Sequence, residues 1–287
     1  MLSGLLLAIG ASLLHASADA AKKGLVRSLD ALEALTGYVL FGLPMVALLW
    51  LATGLEGMPR PGFALYATLS VVPNLVANAL FFEAVRTSPL SLTLPFLSFT
   101  PAFLIGTSWL INRELPSAVG VIGIGLVILG AFLLHARELR HGALGPLRAI
   151  LRERGSLLMT AVAAIWSISA AADKAAVLRA GPLSYFTIWH VGLLLPLLVV
   201  ALVRRRLRRT LSRPLPMSGA AALHVAGGVL QMAALPLVQV AYIIAIKRAG
   251  MLVGILYGWL FFGETEIRQR LLGGAVMALG VLCITSA

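Results

Sequence analysis

Two adjacent cations, Lys247 and Arg248, sit near the middle of the apolar stretch Leu237 to Phe262, LVQVAYIIAIKRAGMLVGILYGWLFF. At about 1.5 Å of helical rise per residue, the stretch is long enough to cross a hydrocarbon core of roughly 30 Å. A charge at such depth costs about 2.5 to 3.5 kcal/mol on insertion scales, so it faces protein or a water-filled cavity and usually meets an anion. Arg offers a two-pronged fork that fits carboxylate, phosphate or phosphonate, and Lys adds a compact point charge. The chemistry open to this pair is the binding of a negatively charged group. The plainer alternative is that both snorkel, or pair with buried carboxylates and tie helices together. Consecutive helical residues point about 100° apart, so both reach one ligand only if it is large, the side chains curl, or the backbone is irregular. Gly250 and Gly254 make irregularity cheap.

The chain that must position this pair is 60% hydrophobic and 12% charged, with a mean hydropathy of +0.96 over 287 residues. Too few polar residues remain to coat a water-soluble globule of that size. The apolar material comes in runs of about 18 to 22 residues, the signature of a helical membrane protein rather than of a barrel. Ten spans are expected, at about 3–21, 33–53, 62–83, 89–111, 116–135, 156–177, 183–203, 217–236, 238–262 and 268–286. The single cysteine, Cys283, excludes an internal disulfide and any multi-cysteine metal site. The first span is expected to be a membrane helix rather than a cleaved leader, since no Lys or Arg precedes its apolar run and it has a full-length counterpart later in the chain. A net charge of +12 suggests nucleic acid only superficially, because most of it lies in loops, where it reports membrane orientation.

The two halves repeat. Trp109 and Trp259, Glu114 and Glu264, Gly123 and Gly273, and Gly130 and Gly280 are each separated by 150 residues; Lys22 and Lys174, and Pro44 and Pro196, by 152. The expected architecture is therefore all-α, with ten transmembrane helices as two five-helix repeats, 1–140 and 156–287, joined by a loop at 141–155. Five is odd, so the second half enters the membrane from the opposite side, an inverted repeat of the kind found in carriers that alternate access around a midplane site. Only four Lys and Arg fall on the side shared by the termini, against seventeen on the other, which places both termini outside the cytoplasm of a cell membrane.

The repeat extends the candidate substrate site. Asn74 and His224 lie 150 apart and could face one cavity from related helices, or else serve as interhelical hydrogen-bond partners, with Asn78 and Gln231 on the same two spans. Tyr38 and His190 correspond by the 152 offset, while Trp166 and Tyr242 lie deep enough to line a cavity rather than anchor at the interface. Lys22 and Lys174 are candidates for gating or coupling, or else self-neutralised helix ends beside Asp19 and Asp173. Glu83 and Asp173 are candidates for proton coupling, because burial disfavours a charged carboxyl. Glu114 and Glu264 suit helix N-termini, where an acid is favoured by the dipole. Pro44 and Pro196 are candidate hinges.

The segment GWLFFGE (Gly258 to Glu264) followed by RQRLLGGAVMALGVL, echoed in the first half by TSWLINREL and VGVIGIGLVILG, resembles the drug/metabolite transporter superfamily, in particular its ten-helix EamA-type branch. The resemblance spans essentially the whole chain. It implies a secondary carrier of small metabolites, often an exporter, with its site between the halves. It also implies termini in the cytoplasm, opposite to the charge count, although the superfamily includes dual-topology members. AIKRAG, around Lys247 and Arg248, further resembles the ninth helix of triose-phosphate and nucleotide-sugar translocators, in which an adjacent Lys-Arg holds the substrate phosphate. At the corresponding offset the first half has Leu97-Ser98, so the extra basic residue those translocators contribute from the fourth helix is missing.

The leading expectation is a carrier of a small anion, with amino-acid or amphipathic drug export as the alternative. No Gly-x-Ser-x-Gly turn, paired His-Glu motif or metal cluster argues for an enzyme, and no catalytic residue, metal or cofactor is expected. Expected partners are a small-molecule substrate and the lipid bilayer, not nucleic acid. Proton or counter-substrate coupling is open to such a carrier, as a monomer or a homodimer.

Overall fold

The computed structural model describes residues 2–25, 29–53, 59–88, 93–134, 153–250, 252–253 and 267–287, without the side chains of 23, 24, 31, 82, 85, 86, 134 and 267–271. Among them are ten α-helices of ten residues or more: α1 (Leu2–Leu25), α2 (Ala31–Ala52), α3 (Phe63–Thr87), α4 (Thr100–Asn112), α5 (Ala118–Leu134), α6 (Arg154–Ala180), α7 (Pro182–Val203), α8 (Pro214–Ala234), α9 (Val240–Ala249) and α10 (Ile267–Thr285). A 3-10 helix, Leu94–Phe99, leads into α4, and one helical turn, Leu207–Thr210, precedes α8. Seven helical segments, with the 3-10 helix counted into α4, are long and apolar enough to cross a membrane, and α5 and the end of α10 add shorter apolar helices. The protein is a multi-pass membrane protein, and among the described residues there is no strand.

Two expected spans depart from straight helices. The ninth does not carry Lys247 and Arg248 at the centre of an unbroken helix. Helix α9 is interrupted after Ala249, putting both cations in its last turn; residues 252–253 are helical again, and the expected remainder at 254–262 lies outside the described residues. The fourth starts as the 3-10 helix and becomes α-helical only at Thr100, 150 residues before Gly250. Both halves thus change backbone at the same repeat position. Gly250 is required where it stands, because an added Cβ would meet Ser12 of α1, whose hydroxyl donates to the Ile246 carbonyl at 3.0 Å. Pro44 and Pro196 lie inside α2 and α7, and Pro73, which the repeat did not single out, lies inside α3.

Local chemistry sets the helix starts. Asp30 caps α2 by accepting from the Glu33 N–H at 2.8 Å while Glu33 accepts from the Asp30 N–H at 2.9 Å, which satisfies two otherwise orphaned donors. Glu153 caps α6 through the Gly155 and Ser156 N–H groups.

The helices pack across the halves. Helix α1 lies against α8, its counterpart pair α3 against α6, α2 against α7, and α5 against α10. At the last crossing an added Cβ on Gly123 would fall 2.7 Å from the Gly280 carbonyl oxygen, and one on Gly130 would fall 2.6 Å from that of Gly273. The contacts run in opposite order along the two helices, so α5 and α10 are antiparallel and their backbones touch. Small residues permit this approach, and it is such close packing that holds helices together in lipid. Gly130→Ala is expected to lower stability by about 1 to 3 kcal/mol, because backbone cannot yield as a side chain can. Gly125→Ala, with nothing within 4 Å, is the control and is expected to be neutral or stabilising in the same thermal melt.

Contacts sort into two ends. At one, Arg206 pairs with Asp30 and Glu33, Arg154 meets Glu83 at 3.5 Å, and Ser88 donates to Glu153. At the other, Trp50 donates to Ser184 at 2.8 Å, Arg60 N–H to the Arg179 carbonyl at 2.9 Å, and Gln239 to the Leu115 carbonyl at 3.0 Å.

Candidate functional site

The side chains of the last turn of α9 line a cavity of about 300 Å³ to which α1, α2, α3, α4, α6, α7 and α8 also contribute. Lys247 donates to Gln231 Oε1 at 2.9 Å, and Arg248 donates to Thr100 Oγ1 at 3.2 Å. The guanidinium carbon lies 5.8 Å from the centre of the Trp166 ring, and Arg248 Nε is buried without a partner. Among the described residues neither cation forms an ion pair. Neutral oxygens hold both charges in place without cancelling them, which leaves them available to an anion.

The α6 wall carries the opposite sign. Asp173 accepts hydrogen bonds from the Ser70 and Tyr185 hydroxyls, and Ser169 donates to the Ser70 carbonyl at 2.9 Å. Beside it Asn78 donates to Asn74 Oδ1 at 2.7 Å. The third cation is Lys22, 3.2 Å from Asp19 Oδ1 and 4.4 Å from the centre of the Tyr38 ring. The Asp19 side chain is 73% exposed, so the cavity reaches solvent where α1 finishes.

Among the described residues, the opposite end is tied together. Lys174, with only 7% of its side chain exposed, forms an ion pair with Glu114 and donates to the Val238 carbonyl at 2.9 Å. Glu114 also accepts from Ser108 at 3.1 Å, and Asn112 donates to the Ala171 carbonyl at 2.9 Å. The α4–α5 loop, α6 and the α8–α9 turn are thereby locked together.

Of the expected site residues, Lys247, Arg248, Asn74, Asn78, His224, Tyr38, Trp166, Lys22 and Asp173 line the cavity. The others are placed elsewhere. Tyr242 turns toward α5 and its hydroxyl accepts from the Ser117 N–H at 3.0 Å. His190 is fully buried behind the wall, its Nδ1 2.9 Å from the Phe186 carbonyl oxygen, with its ring 6.1 Å from that of His224. Glu83 sits near the end of α3, 3.5 Å from Arg154, and is not among the residues that line the cavity. Lys174 is not neutralised by adjacent Asp173, because neighbours on a helix diverge by about 100°, and each finds a partner on another element. Glu114 is likewise no simple helix-start acid but the partner of Lys174; Glu264 lies outside the described residues. Sequence reasoning missed Thr100, His15, Ser169 and Phe186, all on the cavity wall. Thr100 had a signal, since it stands at the repeat position of Gly250; isolated serines and aromatics in apolar helices carry none.

A family model described as the EamA-like transporter family matches the chain twice, over residues 2–136 and 153–286. The chain belongs to the EamA-like transporter family. Membership makes it a transporter of the drug/metabolite type rather than an enzyme, and the double match accords with the duplication read from its residues. No curated protein matches this EamA-like transporter. It is similar in fold to a solved structure titled "Crystal structure of protein", at 15% identity and a TM-score of 0.74, covering 99% of this chain and 97% of that one.

Proposed function

We propose that this EamA-like transporter is a secondary carrier of a small anionic metabolite, with Lys247 and Arg248 as the anion site and phosphate or phosphonate esters as the leading class. One observation carries the reading: two cations in a membrane-buried cavity are held by Gln231 and Thr100, with no acid within ion-pair distance among the described residues. A cavity of about 300 Å³ suits a small metabolite. Asn74, Asn78 and His224 offer hydrogen bonds to the rest of the substrate, and Trp166 and Tyr38 offer apolar faces.

The transport cycle proposed is alternating access by an inverted repeat of ten spans, 1–140 and 156–287. Supporting it are the cross-half packing, the antiparallel glycine crossing of α5 and α10, and one end open at Asp19 while the other is locked by Lys174 and Glu114. Lys22, the repeat counterpart of Lys174, then serves the open end, with Pro44 and Pro196 as hinges. With both termini outside the cytoplasm of a cytoplasmic (inner) membrane, as the seventeen-to-four charge bias favours, the open end faces the cytoplasm. A proton or a counter-substrate couples the cycle, with Asp173 the acid placed to sense it.

A second reading, export of an amino acid or amphipathic drug, is favoured by Asp173 alone. Its partners are the hydroxyls of Ser70 and Tyr185, so it is free to meet a substrate ammonium in the same cavity. Proteoliposome counterflow separates the readings. Saturable exchange of a radiolabelled phosphate or phosphonate ester, competed by anions and not by amines, is the expected result; competition by neutral or cationic compounds alone selects the second, and unsaturable flux rejects a carrier.

A further inference from the structure

We infer that the turn between α7 and α8 is a binding site for the phosphodiester headgroup of an anionic glycerophospholipid. Six arginines, 204, 205, 206, 208, 209 and 213, fall within ten residues. Two of them are neutralised and serve as foundations, since Arg206 pairs with Asp30 and Arg209 Nε lies 3.5 Å from Glu33 Oε2. Arg205 and Arg208 form no ion pair among the described residues. Together with Arg209, Leu211 and Ser212 they line a shallow, open recess of about 720 Å³. Arg205 is held there by its backbone: it adopts the left-handed conformation at φ 54°, and the flanking Arg206 N–H closes on the Ala201 carbonyl at 2.8 Å.

The recess lies on the turn that joins two helices long and apolar enough to span, Pro182–Val203 and Pro214–Ala234, and so belongs at a membrane surface. On its membrane side the chain exposes Leu202, Val203 and Leu215, the last two 78% and 83% exposed, which is an acyl-chain surface next to the guanidiniums. Phosphate oxygens match the forked donors of two arginines, while the Ser212 hydroxyl donates to the Arg209 carbonyl at 2.6 Å and braces the turn beneath them. A free anion satisfies the charges but leaves the apolar rim in water; a lipid satisfies both. This site is independent of what the central cavity carries.

The test uses the full chain in mixed micelles of phosphatidylglycerol and phosphatidylcholine, with bound lipid counted by native mass spectrometry. Wild-type protein is expected to retain phosphatidylglycerol selectively, and Arg205→Gln with Arg208→Gln to reduce that selectivity roughly thirtyfold, from the usual strength of two arginine contacts at an anionic surface. The control is Arg204→Gln with Arg213→Gln, which removes the same charge outside the recess and is expected to have at most a small effect. Equal losses in the two double variants would mean diffuse attraction by net charge and overturn the site. Displacement of the lipid by inorganic phosphate alone would also overturn it, because the acyl contacts would then contribute nothing. Melting temperature reports folding separately, and single Arg205→Gln and Arg208→Gln variants, each expected to lose part of the selectivity, keep the test open if the double variant folds poorly.

Discussion

Lys247→Gln is expected to abolish most substrate flux while leaving the fold intact. Its ammonium is anchored by Gln231, and a hydrogen bond from a charged donor to an anion contributes about 2 kcal/mol, so transport efficiency should fall at least roughly thirtyfold. Stability should hold or rise, because the substitution removes a buried charge that no acid within ion-pair distance balances among the described residues. Arg248→Lys should be intermediate: it keeps the charge but loses the fork that Thr100 and the Trp166 ring orient. Uptake into proteoliposomes, normalised to inserted protein, checks both. Flux unchanged in Lys247→Gln would remove the pair from the mechanism.

The second large effect is expected at the closed end. Glu114→Gln leaves Lys174 buried without a counter-charge, a change worth about 3 to 5 kcal/mol, and should lower the apparent melting temperature by roughly 5 to 15 °C. Lys174→Met together with Glu114→Gln should recover more than half of that loss, since both charges are then gone and a flexible apolar chain fills the space. The double variant should also favour opening at that end, seen as faster labelling of a cysteine placed at Asn112. A double variant as unstable as the sum of its single changes would show that the two residues do not act as a pair.

Much of the fold was legible because lipid imposes strict patterning. Apolar runs of spanning length and glycines repeating at 150 residues each have one physical cause and can be read in order. The backbone change at Thr100 and Gly250 was half legible: Gly250 advertised weakness, but only packing against Ser12 shows that the helix is interrupted there. The site divided in the same way. Asn74 and His224 were found through symmetry, since a polar residue at depth on related helices has few places to point. Partners across the bundle were not legible. Asp173 and Lys174 are adjacent in sequence yet turn to Tyr185 and Glu114, because helical geometry separates neighbours and tertiary packing chooses between them. Tyr242 failed for a related reason: being deep in a span does not say which face of the helix meets the cavity.

The central claim, that the membrane-buried cations bind an anionic guest, is tested most directly by ligand-induced stabilisation of the purified carrier in detergent. A panel of phosphate monoesters, phosphonates and carboxylates is compared with neutral and amine analogues on wild-type protein and on the Lys247→Gln, Arg248→Gln double variant. At a hundredfold excess over its dissociation constant a true ligand adds about 2.7 kcal/mol to stability, a clear shift in melting temperature. The prediction is that at least one anion stabilises the wild type and fails on the double variant, with its neutral analogue inert on both. Equal stabilisation of both proteins, or stabilisation by neutral or cationic compounds alone, would contradict it.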